Sequence, residues 1–207
     1  CLLSRGLGDV YKRQEYGIGT KEDPALKYAS ELGNMIGNTD YTFNALKEEL
    51  QKIGATINFF STGDYFGLNI KGFDKNFQKT ITMAGDFLTT MIVRKEDEKK
   101  LKKLIQSSRI ERKFEARDAT VKGNALREFA LWGQNSSFLT RATTNEVKKM
   151  DSDFLMERIT NAMNHETTVF YTGTKEVSEI KSLVSKHLII KNDLTPSSSP
   201  VVYDKKL

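Results

Sequence analysis

The sequence predicts an α+β fold, a mixed or antiparallel sheet with helices packed on one face. Three observations carry this prediction. Two partly alternating apolar runs, residues 55–61 and 65–71, are joined by Thr62-Gly63-Asp64, a hairpin signal. Several long stretches with apolar residues at helical spacing are grouped after that hairpin. They are followed by residues 167–173 (TTVFYTG), whose β-branched and aromatic content reads as a buried strand.

The elements follow in order. Residues 15–20 (EYGIGT) read as the tail of a strand that begins earlier, with Gly17 and Gly19 permitting twist or close backbone approach. Pro24 after Asp23 suits a first helical turn, and Leu26, Ala29, Leu32 and Met35 recur at helical spacing. Residues 37–40 (GNTD) break that helix. A second helix carries Phe43, Leu46 and Leu50 on one face and ends at Gly54, a C-cap residue. After the hairpin, Gly72 ends the second strand, and Asp74 caps a helix carrying Phe77, Ile81, Ala84 and Leu88.

A long charged helix over residues 95–116 turns Leu101, Leu104 and Ile105 inward. The next apolar-periodic stretch covers residues 121–132, and Phe129, Leu131 and Trp132 are expected in the core or at an inter-domain contact. Residues 143–146 (TTNE) form a capping box. Asp151 or Ser152 opens a helix with Phe154, Leu155, Ile159 and Met163. Residues 176–187 form an amphipathic helix carrying Val177, Ile180, Leu183 and Val184. From residue 192 the composition turns to Pro and Ser, which reads as a linker rather than a packed element. There is no internal repeat.

Composition bounds the function. The chain has 207 residues, 38% hydrophobic and 29% charged, enough for one domain with a substantial core. No apolar run approaches the roughly 18 residues that span a membrane. Residues 1–14 (CLLSRGLGDVYKRQ) lack an initiator Met and resemble adapter sequence read as protein in translated metagenome assemblies; they are set aside from fold reasoning as a scar. Cys1, the sole cysteine, lies among them, so the natural domain has no disulfide or thiolate chemistry. The same segment holds +2 of the formal +5, which weakens any argument from overall basicity. The organisation expected is residues 1–14 as artefact, 15–190 as one domain, and 191–207 as a linker toward a following domain. The compartment, bacterial cytoplasm or periplasm, stays open.

Several segments together resemble one half-domain of the pitrilysin/insulinase metallopeptidase family, the inverzincins. Residues 17–24 (GIGTKEDP) resemble that family's strand-to-helix entry, Gly-Ser-x-x-Asp-x-Pro. Residues 43–58 (FNALKEELQKIGATIN) resemble its Leu-x-x-Leu-Gly-Ala-x-Ile-Asn helix and strand, Asp64-Tyr65 follows at the hairpin, and residues 167–173 resemble the closing strand. None is specific alone; their order over most of the chain carries the resemblance.

The resemblance implies a site that has been emptied. The active half of that family carries His-x-x-Glu-His on a helix, two His holding zinc and the Glu acting as general base, with a further Glu on a later helix. By position the first His falls on Ser30, the catalytic Glu on Gly33 and the second His on Asn34; the distal Glu falls at Ser107 or Ser108. Ser, Gly and Asn do not hold zinc tightly, and Gly33 supplies no base. The implied role is a non-catalytic domain of a bacterial zinc endopeptidase. It binds no metal or cofactor itself, walls a substrate chamber, contacts the peptide substrate, and packs against a zinc-carrying catalytic half. His165 and His187 lie apart and lack ligand spacing, and the Glu48-Glu49 pair reads as a solvated helix face.

Two alternatives follow. The parent is a stand-alone inactive subunit paired with a separate catalytic subunit. Or the chain is a nucleic-acid-binding module using the basic helix 94–117, which holds ten basic against five acidic residues. Glu96, Asp97 and Glu98 precede its lysines at ion-pairing spacing, and no aromatic stacking pattern interleaves the cations, which favours a solvated face. The hairpin over residues 55–71 is a candidate for peptide binding by strand addition.

Overall fold

The computed structural model describes residues 9–188 and 193–197. Its strands are β1 (Asp9–Tyr16), β2 (Gly37–Asn38), β3 (Thr56–Ser61), β4 (Phe66–Phe73), β5 (Met91–Ile92) and β6 (Thr167–Thr172). Four of them form one antiparallel sheet in the order β3-β4-β1-β6, while β2 and β5 pair separately. The helices are α1 (Leu26–Gly33), α2 (Phe43–Lys52), α3 (Phe77–Thr90), α4 (Lys95–Glu115), α5 (Ala119–Trp132), α6 (Ser137–Thr140), α7 (Thr144–Lys149), α8 (Ser152–Ala162) and α9 (Val177–His187). The α+β class with an antiparallel sheet is therefore as the sequence predicts.

Register fixes which side chains face the helices. One row across the sheet reads Ile57, Ile70, Lys12, Tyr171; the next reads Phe59, Leu68, Gln14, Val169; the third reads Ser61, Phe66, Tyr16, Thr167. Helix α1 packs on β3 and is backed by α8, while α3 lies over β4 and is flanked by α9. Aromatic rings tie the layers together: Phe59 lies 5.6 Å from Phe66 and 6.0 Å from Phe87, and Phe77 lies 5.3 Å from Tyr171. The opposite sheet face is polar, with Tyr11 bonding Asn69 and Arg13 stacked 4.3 Å over Phe60 while paired to Glu15.

Local chemistry explains most boundaries. Thr42 caps α2, and Gly54 follows its end at φ +65°, with the Phe73 ring so close that a Cβ has no room. Thr143 and Glu146 form the expected capping box on α7, and the Asp151 carboxylate caps α8 by accepting from Phe154 N–H at 2.9 Å.

Other expectations are corrected. Strand β4 continues through Gly72 to Phe73, because Gly72 finds a ladder partner in Val10. Asp74 opens a 3-10 turn over Asp74–Asn76 instead of capping α3. Met35 falls beyond α1. Strand β6 is only alternately half-buried, since among the described residues it lies at the sheet edge with β1 as its one neighbour. Strands β2 and β5, two residues each, are too short to leave a periodic signal.

Strand β1 begins at Asp9, so residues 9–14 of the segment set aside above occupy the sheet between β4 and β6. Within the Pro/Ser stretch, Thr195 bridges to His165: its amide donates to Asn164 O and its carbonyl accepts from Glu166 N, both at 2.8 Å. What the sequence suggests for residues 1–8, 189–192 and 198–207 lies outside the described residues.

Candidate functional site

Helix α1 brings three of the four candidate positions to β3. Ser30 Oγ donates to Lys27 O at 2.7 Å and lies 3.2 Å from Ser61 Oγ. The Asn34 amide donates to Phe59 O at 2.9 Å, and its Oδ1 accepts from Phe59 N–H at 2.8 Å. A Cβ on Gly33 falls 2.4 Å from the Phe59 ring, so glycine is what lets the end of α1 close on the strand. The fourth position is reached from α4. Ser108 is buried, with its hydroxyl 2.8 Å from the Tyr28 hydroxyl, whereas Ser107 is exposed. Ser108 thus meets α1 at Tyr28, nearly two turns before Asn34.

These residues do not fit zinc. Both polar atoms of Asn34 are committed to the Phe59 backbone, and the hydroxyls of Ser30 and Ser108 are engaged in hydrogen bonds. Among the described residues no group of three or more His, Cys, Asp or Glu is placed to hold a metal ion. His165 Nδ1 lies 3.1 Å from Asn161 O on α8, while His187 lies 3.5 Å from Thr82 on α3. The two histidines sit on separate elements.

Beside α1 opens a cleft of about 650 Å³. Lys27, Ser30, Glu31 and Asn34 line one side, and Ser137 and Arg141 line the other. Burial holds the Glu31 carboxyl above its ordinary range; Lys27 pulls it back down and Glu111 adds to the rise. Arg141 is fixed by Glu115 at 2.7 Å and stacks 5.0 Å over Phe138. Sequence reasoning passes over Glu31 and Arg141 because no spacing pattern links positions 31 and 141; only the return of the chain after α5 brings them together. A smaller apolar cavity of about 110 Å³ lies between α2 and β3, lined by Leu46, Leu50 and Ile57 among others.

The basic helix is partly accounted for by structural bonds. Arg94 donates to the carbonyls of Asn38 and Tyr41, and Lys100 pairs with the buried Asp97 at 2.9 Å. Of the two placements expected for Phe129, Leu131 and Trp132, core or inter-domain contact, the first is corrected: no residue of α5 is buried, and all three are exposed.

No protein-family model matches the chain, and no curated protein sequence does either. Solved structures are similar in fold. The ferredoxin protease FusC, solved with Arabidopsis ferredoxin, superposes with a TM-score of 0.74 at 12% identity, over 94% of this chain and 21% of that one. The periplasmic protease PqqL from Escherichia coli gives 0.71 at 12%, over 94% and 21%. A peptidase M16 inactive domain from Pseudomonas fluorescens gives 0.72 at 10%, over 93% and 48%. The chain thus spans about a fifth to a half of the structures it resembles. At such low identity the likeness speaks for fold, and the fold of this chain is that of a pitrilysin-family peptidase half-domain.

Proposed function

We propose that this chain is a non-catalytic domain of a pitrilysin-type zinc peptidase, where it walls part of the substrate chamber and packs against a zinc-carrying half. The observation that supports this is the use made of Ser30, Gly33 and Asn34. Where the resemblance places two zinc ligands and a base, these residues instead fasten α1 to β3. Zinc belongs in this reading to the catalytic half, which lies in the same chain or in a paired subunit. A zinc motif in the same reading frame decides for the first, one in a neighbouring gene for the second.

The test is elemental analysis of the purified chain together with hydrolysis of an unstructured peptide. The expected result is zinc far below one per chain and no cleavage. Stoichiometric zinc that is lost on replacing Ser30 or Glu31 rejects the reading.

The same reading takes residues 1–14 as foreign to the natural domain. Its support is Lys12 and Gln14, two polar side chains set in otherwise apolar rows of the inner sheet face.

A further inference from the structure

Among the described residues, strand β3 is an edge of the main sheet. Across the hairpin, Thr62 N–H donates to Tyr65 O at 2.7 Å. Antiparallel ladders alternate, so the even-numbered residues of β3 bond to β4, and Ile57, Phe59 and Ser61 turn their N–H and C=O outward. An outward row of this kind is a template for an added strand. Both cavities lie along it: the apolar one meets β3 at Ile57, and the polar cleft meets it at Ser61. Asn34 lines both.

Between the two cavities, at Phe59, Asn34 makes one bond to the amide and one to the carbonyl, at 2.8 and 2.9 Å. This is the pair of bonds that one residue of an added antiparallel strand makes. We propose that Asn34 is a plug: the β3 edge and its two flanking cavities form a groove for an extended peptide backbone, and the Asn34 amide occupies the main-chain position opposite Phe59, so that the groove is closed to strand addition. A peptide is the class of ligand because the groove presents a neutral donor–acceptor row at strand spacing with an apolar recess beside it. The plug stays seated because it is intramolecular and because Gly33 lets α1 press against the Phe59 ring. The inference stands on these hydrogen bonds alone and survives if the peptidase reading fails.

The test compares the wild-type chain with Asn34→Ser, whose shorter side chain makes neither bond. The probe is a pool of fluorescein-labelled decapeptides with randomised side chains, since strand addition is read mainly through the main chain. Fluorescence anisotropy is expected to stay flat for wild type and to show binding at least about tenfold tighter for the variant, the scale of one or two recovered main-chain bonds. Hydrogen exchange at the Phe59 amide is expected to slow when the pool is added to the variant. If Asn34→Ser does not melt cooperatively, Asn34→Asp takes its place; it keeps the bond from Phe59 N–H and sets a carboxylate against the carbonyl. Wild type binding the pool as tightly as a folded variant overturns the proposal, and so does a folded variant that binds no better than wild type.

Discussion

Lys12 is fully buried in the inner face of β1, opposite Ile70 on one side and Tyr171 on the other. Its ammonium has Gln14 Oε1 at 3.3 Å, and Gln14 in turn donates to the Tyr16 hydroxyl at 3.1 Å. Burial lowers its pKa from 10.5 to about 7. The unfolded chain keeps this proton up to about pH 10.5, whereas the folded chain releases it near 7, so unfolding takes up a proton in between. Stability therefore rises with pH across that window, and below pH 7 the full penalty applies, on the order of 5 kcal/mol. Lys12→Met is expected to raise the thermal midpoint strongly at pH 7 and only slightly at pH 10. An equal gain at both pH values, measured by calorimetry, contradicts the burial argument. Gly33 makes a related point about fit. The catalytic Glu that the resemblance places there has no room for its Cβ against Phe59, so the site is closed by packing as well as by chemistry.

Among the elements, α5 departs most from expectation. Its apolar periodicity is real in sequence, yet Leu126 is 71% exposed and Leu131 61% exposed. On the preceding helix Phe114 is 67% exposed as well. Under the proposed function these exposed side chains are candidate contacts with the other half. Replacing Leu126 and Leu131 together by Lys is expected to shift the midpoint of the isolated chain by less than about 2 °C, since surface changes away from packed features cost little. The same pair is expected to weaken association with the zinc half by about tenfold or more. A large loss of stability without loss of association places the face in the core instead. Periodicity alone did not separate these outcomes. A helix that packs on its own sheet and one that packs on another domain carry the same stripe.

At the scale of the whole molecule, β1 occupies the second position from the β6 edge and pairs along its length with both β4 and β6. Without it the sheet separates into the β3–β4 hairpin and a lone strand, and a two-stranded hairpin is marginal in water. A chain beginning at Glu15 is therefore expected to lose its cooperative melt by circular dichroism, and unchanged two-state unfolding of that chain rejects the role given to β1. If residues 1–14 are foreign, the natural sequence supplies apolar residues at the positions of Lys12 and Gln14. The double variant Lys12→Val, Gln14→Val then approximates it and is expected to be more stable than the chain as it stands.

The sequence by itself determined the helices with clear stripes and caps, the β3–β4 hairpin, the α+β class, and the lack of metal-ligating residue types at Ser30, Gly33, Asn34 and Ser108. These are local properties, written in periodicity, capping chemistry and side-chain identity. Only the tertiary structure decided that residues 9–14 fill a central strand, that α5 turns its apolar face outward, and that Asn34 closes the β3 edge at Phe59. Two of these depend on a partner far away in sequence, β4 and β6 for β1 and a backbone 25 residues beyond Asn34, while the third depends on how little of α5 is buried in the fold. A donor–acceptor side chain reads the same in sequence whether it faces water or another strand; the distant partner that gives it a role is set by the fold.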